Sequence, residues 1–251
     1  MNLRQQLTAI CFFSILFANV GLAQVKRLTL RSDFPAKTVI VSNVNQQVAE
    51  KSPFLVAAAV NEDGGQKEFR SLLQFNYDYL PKLILTDPIL IESAELVLYP
   101  ANADFFENKK DEPGKLVVRR IVENWYDSSI AWDNQPKVDS STFAKEKIRI
   151  KGKNQEIRIN VTYLVMDMIR YGNKGFMICP NNAAITNALS GLSFASSLND
   201  DKLLRPLLVI TYNDGSNYSP VIQQRPNRPV STPVYTVPTR VPVTVVSNRS
   251  E

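Results

Sequence analysis

The sequence predicts an all-β fold, a jelly-roll β-sandwich of about 10–12 antiparallel strands with one short helix. Three observations predict it. Bursts rich in β-branched residues, leucine and aromatics alternate with turn clusters such as Asn61-Glu62-Asp63-Gly64-Gly65 and Asp111-Glu112-Pro113-Gly114. A single segment carries apolar residues at helical spacing. The stretch 123–136, ENWYDSSIAWDNQP, puts two tryptophans, two acidic turns and a closing proline into one corner of a β fold.

From the N-terminus, 1–23 reads as a signal peptide. Arg4 precedes an apolar run from Leu7 to Leu22, and Gly21-Leu22-Ala23 suits cleavage before Gln24. A membrane anchor is the other reading, but the apolar core from Ala9 to Ala18 is short for a hydrocarbon layer of ~30 Å. Cleavage places the protein outside the cell or in the periplasm, with no membrane span left. Cys11 leaves with the signal, so Cys179 is the one mature cysteine and cannot form an internal bridge. The domain must then be held by its apolar core.

Strands are expected at 25–30, 37–42, 54–60, 71–75, 93–99, 115–122, 147–150, 156–159, 175–178, 192–195 and 207–212. In 160–171, Val161, Leu164, Val165, Met168 and Ile169 fall at helical spacing, with Asn160 as cap and Gly172 as stop. The β-sandwich domain is therefore 24–213. Beyond it, 214–251 carries Pro220, Pro226, Pro229, Pro233, Pro238 and Pro242 among small and polar residues. Proline lacks the ladder donor, so this reads as an extended, disordered Pro-rich tail, either a plain solvated terminus or a spacer.

The formal net charge is +5. Once Arg4, the four tail arginines, Asp214 and Glu251 are set aside, the domain is close to neutral, so nucleic acid is not an expected partner. Lys145, Lys147, Arg149, Lys151 and Lys153 alternate, which on one strand would line five positive charges along a face. That pattern suits a lysine-guarded edge strand or a platform for an acidic polysaccharide. Histidine is absent from the chain, which removes the commonest general base and metal ligand. Asp127, Asp133, Asp139, Asp200 and Asp201 could supply oxygen ligands to a structural calcium, although their spacing matches no defined loop. No other cofactor is expected, and the acidic residues all have ordinary turn or strand-edge explanations, so the chain is not read as an enzyme.

Several blocks together resemble a known family. They are Arg70-Ser71-Leu72-Leu73-Gln74-Phe75 with Leu80-Pro81, Ile91 through Tyr99, and Arg120-Ile121 with Asn124-Trp125 and Ile130 through Pro136. Asn160-Val161-Thr162 through Phe176 follows, then Phe194 through Ser197 with Arg205-Pro206 and the closing strand. In order and spacing they are similar to the DNRLRE domain, the group that includes carbohydrate-binding module family 96. The resemblance implies a non-catalytic sandwich of exported, mainly bacterial proteins. Relatives often work beside polysaccharide-degrading enzymes, and some resemble alginate binders. A polysaccharide is then the expected ligand, and a separate polysaccharide-degrading enzyme the expected partner.

On this reading Arg120, Trp125, Trp132 and Pro136 build the structural corner, with Arg120 paired to Glu123 or Asp127 and the indole N–H groups bonded to turn backbone. Tyr77, Tyr79 and Tyr126 are the candidates for stacking on a sugar, and Lys115, Arg119, Lys147, Arg149 and Lys151 for contacting an anion. A surface structural or adhesive module with no glycan of its own is the second reading of the same chain.

Overall fold

The computed structural model describes residues 24–32, 37–44, 52–62, 65–102, 114–152, 154–181 and 190–214. The expected signal peptide and all of the expected tail except Asp214 lie outside them. Eleven strands occur among the described residues: β1 (Val25–Arg31), β2 (Lys37–Ser42), β3 (Phe54–Glu62), β4 (Gly65–Gln74), β5 (Ile91–Leu98), β6 (Gly114–Ile121), β7 (Val138–Ile148), β8 (Ile157–Asn160), β9 (Phe176–Pro180), β10 (Ser190–Ala195) and β11 (Leu207–Asn213). One sheet has the order β1-β11-β5-β8 and the other β10-β3-β4-β9-β6-β7, with β2 paired to β4. Every strand pairing in both sheets is antiparallel. The all-β sandwich is therefore the observed fold.

Among the described residues two α-helices are present, where one was expected. α1 (Lys82–Thr86) is a five-residue turn of helix, too short to show a period, and α2 (Thr162–Tyr171) is the expected one. The Asn160 side chain accepts from the Thr162 N–H at 3.1 Å, and the chain leaves α2 at Gly172 with φ +101°. Thr162, nearly buried, has its hydroxyl oxygen accept from the Ala94 N–H at 2.9 Å, which ties the helix start to β5.

Between the sheets lies one large core, to which Leu73, Phe75, Leu96, Leu98, Leu116, Val118, Phe176, Phe194, Leu208 and Ile210 contribute. Phe75 and Phe176 meet edge to face at 6.4 Å between centroids. No disulfide is needed, and Cys179 is a buried free thiol whose pKa burial pushes up to about 11.

β4 is the strand on which the larger sheet branches. Phe69 pairs with both Ala58 of β3 and Ser42 of β2, while Leu72 pairs with both Val39 of β2 and Met177 of β9. A residue has one neighbour on each side, so β2 occupies one edge of β4 and β3 and β9 share the other. Where β3 peels away, the buried Ser71 hydroxyl accepts from the Val56 N–H at 2.7 Å and donates to the Val56 carbonyl at 2.9 Å. A side chain thus replaces a missing ladder pair and gives both the N–H and the carbonyl of Val56 a partner.

The corner 123–136 is an excursion with a closed neck. Val122 donates to the Lys137 carbonyl at 2.9 Å, and Lys137 pairs with Glu123 at 2.8 Å. The loop folds back over the outer face of the larger sheet, where Trp125 and Ile130 cover Val39, Val41, Leu72, Met177 and Cys179. Trp125 is buried, and its indole N–H donates to the Lys174 carbonyl at 2.7 Å. That carbonyl belongs to the 172–175 turn. There the Asn173 amide donates to the Phe75 carbonyl at 2.8 Å, Gly175 donates to the Asn173 side chain, and Ile121 donates to the Gly175 carbonyl at 2.9 Å. Ends of β4, β6 and β9 therefore meet at one turn.

Gly175 has φ +92°, and a Cβ there would lie 2.5 Å from the Leu73 carbonyl oxygen; Gly65 has φ +119° with nothing within 4 Å of its notional Cβ. We therefore expect Gly175→Ala to cost about 2–4 kcal/mol, from left-handed strain plus overlap with rigid backbone, and Gly65→Ala to cost about 1–2 kcal/mol, from strain alone. Urea unfolding of both variants checks this; equal losses would contradict the node at 172–175.

Candidate functional site

The outer face of the larger sheet divides into a covered half and an open half. Residues directly opposite in an antiparallel ladder share a face. One row runs Val39, Leu72, Met177, Arg119, Phe143 across β2, β4, β9, β6 and β7. A second places Val117 between Cys179 and Lys145, and a third sets Lys115 directly opposite Lys147. The corner loop covers the β2–β4–β9 side. The β6–β7 side stays open, with Lys115, Phe143, Lys145 and Lys147 exposed and Arg119 half-buried.

The charges of this open half are of one sign. Lys115, Arg119, Lys145 and Lys147 stand on two adjacent strands, and among the described residues no carboxylate forms an ion pair with any of them. The Arg119 guanidinium lies 5.1 Å and the Lys145 ammonium 4.6 Å from the centroid of the Phe143 ring, which is 41 % exposed. Where the corner begins, Arg70 stacks on Trp132 at 4.5 Å while bonding Glu68 at 2.7 Å and the Gln135 side chain at 2.9 Å. Lys37 approaches Trp125 at 5.6 Å and Tyr126 at 5.4 Å. Cations of the chain itself thus already lie against both tryptophans and Tyr126.

The expected residues fall into three groups. Lys115, Arg119 and Lys147 are brought onto the one open face. Tyr79 and Tyr126 are exposed but stand elsewhere, Tyr79 in the turn Tyr77–Tyr79 after β4 and Tyr126 in the corner beside Lys37. Tyr77 must be corrected: it is buried, its hydroxyl donates to the Met168 sulfur at 3.4 Å, and burial pushes its phenol pKa far up, so it offers no face to a sugar. The strand expected to carry Arg149 and Lys151 is corrected too, while both side chains stay exposed. β7 spans Val138–Ile148 rather than 147–150, and the Gln155 side chain bonds the backbone of both Arg149 and Lys151, turning the chain away from the ladder. Of the five alternating cations, Lys145 and Lys147 share the strand face; Arg149 and Lys151 lie past its end, and Lys153 lies outside the described residues. Phe143 is the neighbour of these cations that the lysine pattern hides, since it continues the same alternation one step towards the N-terminus.

Corner residues occupy structural positions: Trp125 and Pro136 are buried, and Trp132 is half-buried under Arg70. Arg120, 8 % exposed, pairs with Asp139 at 2.8 Å, in place of the expected Glu123 or Asp127. The reason is a register slip. Arg119 pairs with Phe143 but Ile121 with Val138, so the bulged segment 139–142 of β7 swings Asp139 to Arg120, while Glu123 is held by Lys137. Of the aspartates considered for calcium, Asp139 is engaged by Arg120 and Ser141, and Asp201 caps the turn Lys202–Leu204. Among the described residues no three acidic, histidine or cysteine side chains gather in one place.

Asp139 accepts from the Ser141 hydroxyl and N–H and from Arg120, and these bonds hold its carboxyl far below the usual range. A depressed folded-state pKa adds stability that is complete above the unfolded value near ~4 and fades as pH falls through the folded one. Asp139→Asn should accordingly lower the urea midpoint most at pH 7, with the gap from wild type narrowing below about pH 4. A gap independent of pH would contradict the ion pair.

The structure is thus an antiparallel two-sheet sandwich with the β6–β7 half of one outer sheet face left open. The sequence model of carbohydrate-binding module family 96 matches residues 42–212. The chain belongs to carbohydrate-binding module family 96. None of the curated proteins gives a match. Among the described residues no helix is long and apolar enough to cross a membrane.

Proposed function

We propose that this chain is an exported, non-catalytic module that binds an acidic, alginate-like polysaccharide on the open β6–β7 face of its larger sheet. The observation that carries the reading is the direct opposition of Lys115 and Lys147, with Arg119 and Lys145 on the same face. Like charges facing each other across a ladder destabilise it. A polymer bearing a carboxylate on each sugar would neutralise all four cations along one track, and each contact is worth little alone but adds across the track. Guarding the edge is the competing role for lysines on β7, which ends the sheet. That role gives no reason for Lys115 and Arg119 on β6, which is paired on both sides. Acting outside the cell, such a module would hold a separate polysaccharide-degrading enzyme's substrate or anchor its own chain to a matrix.

Affinity electrophoresis of the full chain through gels containing alginate, and through gels containing neutral xylan, tests the reading. Alginate should retard the protein, and raising the salt should weaken the retardation. Reversing two of the four charges, in Lys115→Glu with Lys147→Glu, should weaken alginate binding by about tenfold or more. Retardation by xylan alone, unaffected by salt, would move the site to the exposed tyrosines. No retardation in either gel would favour the adhesive or structural module.

A further inference from the structure

We infer that Phe143 is a positioning residue of the anion track: its ring holds Arg119 and Lys145 together as a two-cation seat for a single sugar carboxylate. This rests on the polyanion reading and adds to it the element that orders the charges. Phe143 and Arg119 are direct cross-strand partners, and Lys145 follows two residues on, so all three project from one face. Two like charges this close to one ring repel each other. The ring's π-electrons attract each of them, and the guanidinium and the ammonium lie 5.1 and 4.6 Å from the same centroid.

Arg119 is steadied from a second side. Its Nη1 donates to the Asp139 carbonyl at 3.4 Å, and among the described residues its Nε and Nη2 make no hydrogen bond, so one edge of the planar group remains for a bidentate carboxylate. Lys145 supplies a point charge beside that edge. Ordering a long cationic side chain on binding costs about 0.5–1.5 kcal/mol, and a ring that has already gathered two of them removes part of that cost from the binding step. Among the described residues Phe143 joins none of the buried apolar clusters and is 41 % exposed.

The test uses the full chain, alginate as probe, and Phe143→Leu and Phe143→Tyr beside wild type. Leucine keeps an apolar side chain but loses the ring face, and tyrosine keeps the ring. Phe143→Leu should weaken alginate binding by about three- to thirtyfold, the range of one or two cation–π contacts, with unchanged thermal stability. Its dependence on salt should stay that of wild type, since no charge is removed, and Phe143→Tyr should restore the affinity. If wild type binds alginate and Phe143→Leu binds equally well, the positioning role is overturned while the polyanion reading stands. Loss of binding in both variants, or a changed salt dependence in Phe143→Leu, overturns the positioning role as well. Failure of wild type to bind alginate overturns both.

Discussion

The hydrogen bond from the Trp125 indole to the Lys174 carbonyl carries more of this structure than its 2.7 Å suggests. It locks a fourteen-residue excursion between β6 and β7 onto the outer face of a sheet, a surface that would otherwise meet water. Once locked, the excursion covers a second apolar cluster that includes Val39 and Val41 of β2, the strand at the margin of the sheet. The carbonyl that it engages belongs to the turn where the ends of β4, β6 and β9 converge. An indole is suited to this task, since it buries a large apolar surface and still has one donor to spend.

Covering one half of the outer face defines the other. The corner ends where β6 begins to face solvent, and there the side chains change from valine, leucine and methionine to lysine and arginine. Around the corner, cations are held by carboxylates, by amides or against aromatic rings, as with Arg70, Lys37 and Arg120. On the open face of β6 and β7, Lys115, Arg119, Lys145 and Lys147 form no ion pair among the described residues. Four such cations on one face of a near-neutral domain would favour a ligand of opposite sign, which is the basis of the proposed polyanion site.

How much of this could be read from the chain depends on whether the controlling contact was local. Strand positions were legible because β-branched runs and turn clusters are local signals, and the single helical period found α2 to within two residues. The start of β7 was hidden, because Asp139, Ser140, Ser141 and Thr142 read as loop and are a bulged length of strand. That bulge also decides the partner of Arg120, which nearness in sequence assigned to Glu123 or Asp127. Tyr77 looks in sequence like any turn tyrosine, and only the packing of α2 against it, through Met168, takes it out of solvent. Of the proposed anion contacts, Lys147 was named from alternation and Arg119 from its strand face opposite Arg120, whereas the pairing that sets Lys115 against Lys147 and Arg119 against Phe143 is a matter of register and has no signature in either strand alone.

The central claim is the location of the ligand, and amide chemical-shift mapping of the isotopically labelled chain with alginate oligosaccharides tests it most directly. The account predicts that the shifts gather at Lys115, Val117, Arg119, Phe143, Lys145 and Lys147, on both strands of one ladder. Shifts centred on Tyr79 or on Tyr126 and the corner, with β6 and β7 silent, would contradict it.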